Sequence, residues 1–216
     1  MVWLLIAGCI VAGLVGGALS RWVMGAGTAR QRVSASQFWV VDDSGKPRGM
    51  LGVGANGRVS LGLYGGHAEP CAGLSVDSDG APILTLAGND GKLRAVLRVE
   101  VDGAPMLAFY DQNGETRAAL CAADDGPSVL ALHDQNGKQR AALAASLQGS
   151  PVLGLCDQNE QSRAVLSVLP DGKSELGLQD GNGEIRAQFR LSADGKPALG
   201  LYGQNGEVVF EAPGPR

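Results

Sequence analysis

The feature that most constrains this chain is a 23-residue repeat that starts at Phe38 and continues through the rest of the sequence. A fixed period of this length is typical of repeat architectures, in which each unit contacts only its neighbours. We number the positions of a unit from 1 to 23, so that position 1 of the fourth unit is Leu107. Eight units result, the last of them shortened; they start at Phe38, Leu61, Leu84, Leu107, Leu130, Leu153, Leu176 and Leu199.

Each unit carries two short runs in which apolar residues alternate with others. Positions 1 and 3 are apolar, as in Leu107 and Phe109, and positions 14 and 16 are apolar again, as in Leu166 and Val168. A period of two indicates β-strands. D-x-N-G around positions 5 to 8 and glycine at position 20 are hairpin signals, because glycine supplies the positive φ that these turns need. The sequence therefore predicts an all-β fold with two strands per unit.

The loop lengths predict how the strands pair. A three-residue loop at positions 18–20, with its glycine (Gly126 or Gly149, for example) in the left-handed conformation, places position 14 opposite position 1 of the next unit and position 12 opposite position 3. A four-residue loop at positions 6–9 gives the same two pairs within a unit. Positions 1, 3, 12, 14 and 16 then share one face. We therefore predict an elongated antiparallel meander of eight β-hairpin repeats; the alternative is a β-solenoid formed by one chain.

The shared apolar face requires a partner surface, because one hairpin cannot bury enough apolar area to offset the entropy of ordering its residues. A second or third copy of the chain would provide that surface, as a sandwich of two sheets or a prism of three. We expect a homo-oligomer. The predicted self-association face comprises Leu107, Phe109, Leu120, Leu130, Leu132 and Leu143 and their equivalents.

The N-terminal segment predicts a membrane anchor. Residues 2–19 are apolar or small, which is just long enough for a helix to cross a hydrocarbon core, and Trp3 and Trp22 lie at its two ends. Gly13 and Gly17 form a GxxxG pattern, which is typical of closely packed membrane helices. We assign residues 1–24 to a transmembrane helix or signal anchor, 25–37 to a linker and 38–216 to the repeats. A cleaved signal peptide and a lipid-modified Cys9 are alternatives.

The orientation of this anchor is less constrained. Arg21, Arg30 and Arg32 lie on the C-terminal side of the apolar run, and the positive-inside rule would then keep the repeats in the cytoplasm. Three arginines are a weak bias, and repeat stalks on an N-terminal anchor usually face outward. We therefore expect a single-pass membrane protein whose repeats are extracytoplasmic, in the periplasm or at the cell surface.

Composition and motifs argue against several functions. The net charge of −4 and the pI near 5.2 are unlike those of a nucleic-acid-binding surface. The four cysteines do not recur at one position of the repeat, which argues against a disulfide framework or a zinc site. His67 and His133 also occupy different phases. Because no catalytic motif is present, we expect no enzyme activity, no metal and no cofactor.

Two polar positions recur and have alternative interpretations. Aspartate at position 5 (Asp42, Asp111, Asp134, Asp157, Asp180) suits turn capping, although stacked D-x-N-G loops would also offer a weak Ca²⁺ ladder. Arginine at position 11 forms either a solvated face, with cross-strand pairs to Glu and Asp, that keeps the sheet soluble, or a row that binds an anionic glycan or lipid head groups. The candidate outer-face binding row is Arg94, Arg117, Arg140, Arg163 and Arg186.

The unit resembles the LxLxDxxGxxRAxL repeats of membrane-anchored bacterial proteins. The run from Tyr110 to Gly114 is also similar to the YDxxG core of YD/Rhs repeats, and the layout of anchor and repeats is similar to trimeric fibre shafts. These resemblances imply a structural or interaction stalk that self-associates through its apolar face. The alternative function is an extracytoplasmic module that binds glycan, Ca²⁺ or another protein on its outer face.

Overall fold

The computed structural model describes residues 34–65, 69–123, 126–146 and 148–213. The chain divides into two units, Met1–Ala35 and Ser36–Arg216, and every described strand lies in the second. The predicted transmembrane helix at 1–24 and most of the predicted linker at 25–37 lie outside the described residues. The described ranges contain no helix that is long and apolar enough to span a bilayer.

The repeats form one open sheet of sixteen strands that are arranged in chain order, and every strand is antiparallel to its neighbours. At about 4.8 Å per strand the sheet extends roughly 75 Å. The strands are β1 (Gln37–Val41), β2 (Pro47–Val53), β3 (Val59–Tyr64), β4 (Pro70–Val76), β5 (Pro82–Ala87), β6 (Leu93–Val99), β7 (Pro105–Tyr110), β8 (Thr116–Ala122), β9 (Ser128–His133), β10 (Gln139–Ala145), β11 (Pro151–Cys156), β12 (Ser162–Val168), β13 (Ser174–Gln179), β14 (Ile185–Leu191), β15 (Pro197–Tyr202) and β16 (Val208–Ala212).

This topology is the predicted elongated meander, and the alternative of a β-solenoid is wrong. A solenoid needs each unit to turn around an axis and to stack on the next in parallel register. Here each turn reverses the chain within three residues, so consecutive strands can only be antiparallel neighbours.

The loops between units have the predicted length and register. Around Gly149, the Ser146 N–H donates to the Ser150 carbonyl at 3.0 Å, and the Gly149 N–H donates to the Ser146 carbonyl at 2.8 Å. Gly149 has φ +81°, the left-handed conformation that the three-residue loop requires. Leu143 then lies opposite Leu153, with no irregularity in the strand pair. For the loop that ends at Gly126, residues 124–125 lie outside the described residues.

The loops within units reach the predicted register by another route. In the fourth unit the Asp111 N–H donates to the Glu115 carbonyl at 3.0 Å, which closes a three-residue loop instead of the expected four. The expected four-residue loop is therefore wrong. One extra residue is then accommodated as a β-bulge, because Tyr110 pairs with Thr116 and Phe109 with Ala118. The bulge restores the parity, and Leu107 lies opposite Leu120 as predicted.

The same bulge occurs in all eight within-unit strand pairs and always leaves out position 11. Position 11 is the arginine of the repeat in six of the eight units. A β-bulge bends its strand and re-aims the side chain of the extra residue. The repeat therefore places its arginine at the one position of the second strand that has no partner residue on the first strand.

The two faces of the sheet differ in burial. We call the face with positions 1, 3, 12, 14 and 16 the leucine face, and the face with positions 2, 13, 15, 21 and 23 the small face. Of the described residues, those that are buried with a hydrophobic or polar side chain are Ser75, Val96, Ala104, Ala108 and Ser167, all at small-face positions. No large side chain of the described residues is fully buried. The sheet therefore has no two-sided core.

Candidate functional site: the leucine face and the arginine clamps

A continuous row of apolar side chains, large on every strand except the last, crosses all sixteen strands of the leucine face. It is formed by positions 1 and 14, which lie opposite each other at every strand pair, as in Leu107 opposite Leu120 and Leu120 opposite Leu130. Leucine occupies the whole row except at Phe38, Phe189 and Ala212. We call it the leucine row. It exists because both kinds of turn bring the same two positions into register.

A second row beside it alternates large and small side chains. Positions 3 and 12 lie opposite each other, so Phe109 is flanked by Ala95 and Ala118, and Leu132 by Ala118 and Ala141. The row therefore presents one projection and one recess for every two strands, about 9.6 Å apart. We call it the alternating row. Its pattern breaks at the last strand, where position 12 is Phe210.

These rows are exposed to solvent along the sheet. Leu120 and Phe109 are each 46% exposed, and Leu143 is 49% exposed. The predicted self-association residues therefore all lie on one face: Leu107, Phe109, Leu120, Leu130, Leu132 and Leu143 belong to the two rows. The two rows form one contiguous apolar patch, in contrast to the scattered, singly exposed apolar side chains that are normal on monomeric proteins.

The arginines of position 11 form a second recurring structure. It links neighbouring hairpins along the edge of the sheet that is formed by the within-unit turns. In the seventh unit, Nε of Arg186 donates to Oδ2 of Asp180 at 2.8 Å, six residues earlier in the same hairpin. The guanidinium also donates to the carbonyl of Gly203 and, at 3.1 Å, to that of Gln204 in the next unit. One side chain thus holds two consecutive turns. We call this arrangement an arginine clamp.

The aspartate of the clamp acts through both carboxylate oxygens. Oδ1 of Asp180 accepts the backbone N–H groups of Asn182 at 2.8 Å and Glu184 at 3.2 Å, which fixes the turn, and Oδ2 accepts Arg186. The hydrogen bonds confirm the predicted turn-capping role of these aspartates. The same capping pattern is made by Asp42, Asp111, Asp134 and Asp157.

The clamps explain the electrostatics of this edge. Hydrogen bonds from the Asn182 backbone N–H and the Arg186 guanidinium lower the pKa of Asp180. At Asp157, desolvation raises the pKa, but hydrogen bonds from Arg163 and from backbone N–H groups outweigh it and lower the pKa overall. The carboxylates therefore stay ionised in weak acid, and the charges of the two side chains largely cancel along the edge.

The units vary in how they form the clamp. In the third unit Asp90 at position 7 replaces the aspartate of position 5 and still pairs with Arg94 at 2.6 Å. Arg117 has a longer ion pair, with 3.9 Å between its Nη1 and Oδ2 of Asp111, but its Nε donates to the carbonyl of His133 in the next unit at 3.1 Å. The second unit has Cys71 at position 11 and the eighth has Val209, so neither forms a clamp.

The structure therefore places the predicted binding row at an edge where its members already have partners. Guanidinium groups of Arg94, Arg140 and Arg186 each donate to a carbonyl of the following unit, and Arg163 pairs with Asp157. Whether this row binds a glycan or lipid head groups stays a prediction, as does the Ca²⁺ alternative. Within the described ranges, His, Cys, Asp and Glu side chains form no group of three that could hold a metal.

Pairing of these arginines with carboxylates was one alternative from the sequence, but the clamp that joins consecutive units was not predicted. The spacing of six between aspartate and arginine was visible, but in a regular hairpin these two positions do not meet. The number of residues between the turn and the leucine positions was the available signal. If the turn has three residues and ends at the glycine of position 8, the second strand contains one residue more than the pairing of positions 3 and 12 can use. That residue is the arginine.

Comparisons with known proteins identify no family. No protein-family model matches the chain, and no curated protein matches it in sequence. Among solved structures, the chain is similar to the TCP domain of SAS-4 (dCPAP) of Drosophila melanogaster, in complex with a proline-rich motif of Ana2 (dSTIL). The match has a TM-score of 0.44 and 11% identity, and it covers 80% of this chain and 96% of that chain. The resemblances to bacterial anchored repeats, YD/Rhs repeats and fibre shafts stay predictions.

Proposed function

We propose that this elongated β-sheet scaffold assembles by covering the leucine face of one copy with the leucine face of another. The observation that supports this proposal is the unbroken leucine row, which runs across the sheet without a charged residue. A face used to bind water-soluble small molecules would need convergent polar groups, and positions 1, 3, 12 and 14 supply none.

The area is sufficient for a stable complex. The exposed side chains of the leucine face are between about one third and two thirds accessible, as for Leu176 at 36% and Val40 at 64%. Together they present on the order of 2,000 Å² of apolar surface per chain, compared with about 800 Å² per partner in a standard stable interface. Obligate homodimers have apolar interfaces of this larger size.

The shape of the face favours a second copy as its occupant. The alternating row offers projections at position 3 and recesses at position 12, repeated with the same spacing along the sheet. A two-fold-related copy can place its leucines over the alanines of the first, and the first copy's leucines then meet the second copy's alanines. A fit of this kind at one point is repeated at every unit, because both surfaces have the same period.

The experiment is site-specific cross-linking of the full-length chain reconstituted in lipid vesicles at low protein density. The four native cysteines are replaced by serine, and a single cysteine is introduced at Leu120 or, as the matched control, at Ala119. These neighbours lie on opposite faces of β8. With a short bismaleimide, we expect at least ten times more covalent dimer from Leu120→Cys. Equal yields from the two variants would contradict the proposal.

We propose further that residues 1–24 anchor the scaffold in a membrane and that the repeats lie outside the cytoplasm. The proposal is supported by the uncharged run of residues 2–19 with a tryptophan at each end. Protease added to spheroplasts, from which any outer envelope has been removed, should degrade the repeats, whereas inverted membrane vesicles should protect them. Protection in spheroplasts and cleavage in inverted vesicles would place the repeats in the cytoplasm instead.

A further inference from the structure

The two end strands of the sheet, β1 and β16, expose large apolar side chains on the small face as well as on the leucine face. On the small face of β1, Trp39 is 50% and Val41 54% exposed; on β16, Val208 is 58% and Val209 66% exposed. Edge strands of soluble sheets are usually protected by charges, proline or bulges that prevent another strand from adding. β1 contains no charged residue. β16 contains one charged residue, Glu211, and a bulge at Val209, but inner second strands such as β8 and β10 carry the same bulge and still pair on their outer side.

Val209 is the more informative of these residues, because it occupies the position of the clamp arginine. In an exposed terminal hairpin, arginine at this position would remain hydrated and would discourage strand addition. The chain has an apolar β-branched residue there instead. Val209 therefore suits a strand that pairs on its outer side.

The phase of the sheet allows the ends to join. β1 is a first strand of a unit and β16 a second strand, and the number of strands is even. If a second copy is displaced along the sheet, its β1 runs antiparallel to β16 of the first copy and presents the same faces. Continuing the register found between units places Ala212 opposite Phe38 and Phe210 opposite Val40 of the second copy. The leucine face then continues from copy to copy.

The side-chain sizes at this junction are complementary. Within the sheet, position 14 is leucine or phenylalanine and position 12 is glycine or alanine, but β16 reverses the sizes, with Ala212 at 14 and Phe210 at 12. The small Ala212 would face the large Phe38, and Phe210 would face the shorter Val40. On the small face Val209 would lie beside Val41, where inner units have an arginine clamp.

We propose that β16 of one copy pairs with β1 of the next, so that copies join head to tail into one continuous antiparallel sheet. Among the described residues, no strand pairs with the outer edge of either end strand. The contact is heterologous and does not close on itself, so it generates filaments rather than dimers. It is separate from the proposed association through the leucine face, since it uses backbone edges and not that face.

The experiment mixes two single-cysteine variants of the full-length chain, Val40→Cys and Phe210→Cys, in the background without native cysteines and in lipid vesicles. The Val40→Cys variant carries a C-terminal tag, which changes the size of its products and so distinguishes mixed from self-paired dimers. A tag at the C-terminus leaves the β1 edge of this variant free. With a short bismaleimide, head-to-tail pairing should give at least ten times more mixed dimer than self-paired dimer of either variant. The double variant should give a ladder of covalent multimers.

Controls separate this contact from others. Val101→Cys, at an 84% exposed loop residue, reports random collision, and each variant must keep the circular dichroism spectrum of a β-sheet. Val40 and Phe210 lie on the leucine face, and a two-fold pair of leucine faces that lays β1 over β16 would also give the mixed cross-link. Adding Leu120→Lys, which disrupts leucine-face association, should leave the mixed cross-link unchanged, and its loss would overturn the inference. The inference is overturned if either variant cross-links with itself as well as with the other, which indicates a two-fold pair. It is also overturned if the mixed yield does not exceed that of Val101→Cys.

Discussion

Replacement of Arg186 by glutamine tests whether the arginine clamps hold neighbouring hairpins together. The variant loses the hydrogen bonds to Asp180 in its own unit and to the carbonyls of Gly203 and Gln204 in the next. Glutamine keeps a polar side chain at the bulge, and Asp180 still caps its turn through the N–H groups of Asn182 and Glu184. The change therefore removes the link between units with little effect on the turn itself.

The expected cost depends on the number and exposure of these bonds. Each net hydrogen bond contributes about 0.5–1.5 kcal/mol, and those to a charged group lie at or above the upper end. The side chain of Arg186 is 23% exposed and that of Asp180 27%, so water screens the interaction in part. The freed carbonyls can be hydrated at the edge of the sheet. We therefore expect a loss of about 1–2 kcal/mol for the three partners together.

The assay is native-state hydrogen exchange of the full-length chain. The Gly203 N–H, which donates to the Glu207 carbonyl at 2.9 Å, reports opening of the last hairpin. A loss of 1–2 kcal/mol makes its exchange about 5–30 times faster. Arg190→Gln is the matched control on the same strand, because Arg190 makes one ion pair with Glu211 at 3.7 Å and is 42% exposed. Equal acceleration in the two variants would refute the clamp.

Three further predictions concern the turns. Glu160 is the only non-glycine residue with positive φ among the described residues, at 62°. Glu160→Gly relieves this strain but loses the contacts of Glu160 with Lys138 and Gln139. We expect the urea midpoint to rise, with a net gain of about 0.5–1 kcal/mol in the free energy of unfolding. The opposite kind of change, Gly114→Ala, places a β-carbon at φ +87° with no atom within 4 Å, so it should lower the urea midpoint, with a loss of about 1 kcal/mol in the free energy of unfolding through backbone strain alone. The pKa of Asp180 is lowered on folding, so its contribution to stability is complete above 3.8, the ordinary pKa, and is lost as the pH falls further. Thermal melts should therefore be flat from pH 7 to about 5 and fall below about 4, and Arg186→Gln should reduce that fall; an unchanged pH dependence in this variant would contradict the assignment.

Much of the fold could be predicted from the repeat because its constraints are local. Alternating apolar positions define strands, and glycine at positions 8 and 20 defines turns, whatever the rest of the chain does. Two turns that agree on the same parity leave one register, and the observed pairs Leu107–Leu120 and Leu120–Leu130 are those of that register. The capping role of Asp111 is local for the same reason, since its N–H donors lie two and four residues away.

The clamp could not be predicted in the same way, because its partners are distant in sequence. Arg186 meets the carbonyl of Gly203 17 residues later, and the two approach only when a bulge tilts the arginine out of the ladder and the next hairpin is already paired. The loop length within units was wrong for a related reason: a four-residue loop and a three-residue loop with a bulge give the same register. Only backbone hydrogen bonds distinguish them.

The sequence by itself determined that this protein is an array of two-strand repeats with one leucine face, and it favoured a meander over a solenoid, because periodicity and turn chemistry act over a few residues and the repeat applies them eight times. The tertiary structure decided three other points: that the strands form one open sheet, that arginine clamps join its units, and that, among the described residues, no strand pairs with the outer edge of β1 or β16. These depend on which groups meet across units and on how strands twist and bulge along the sheet. They are therefore properties of the assembled array and not of a single unit.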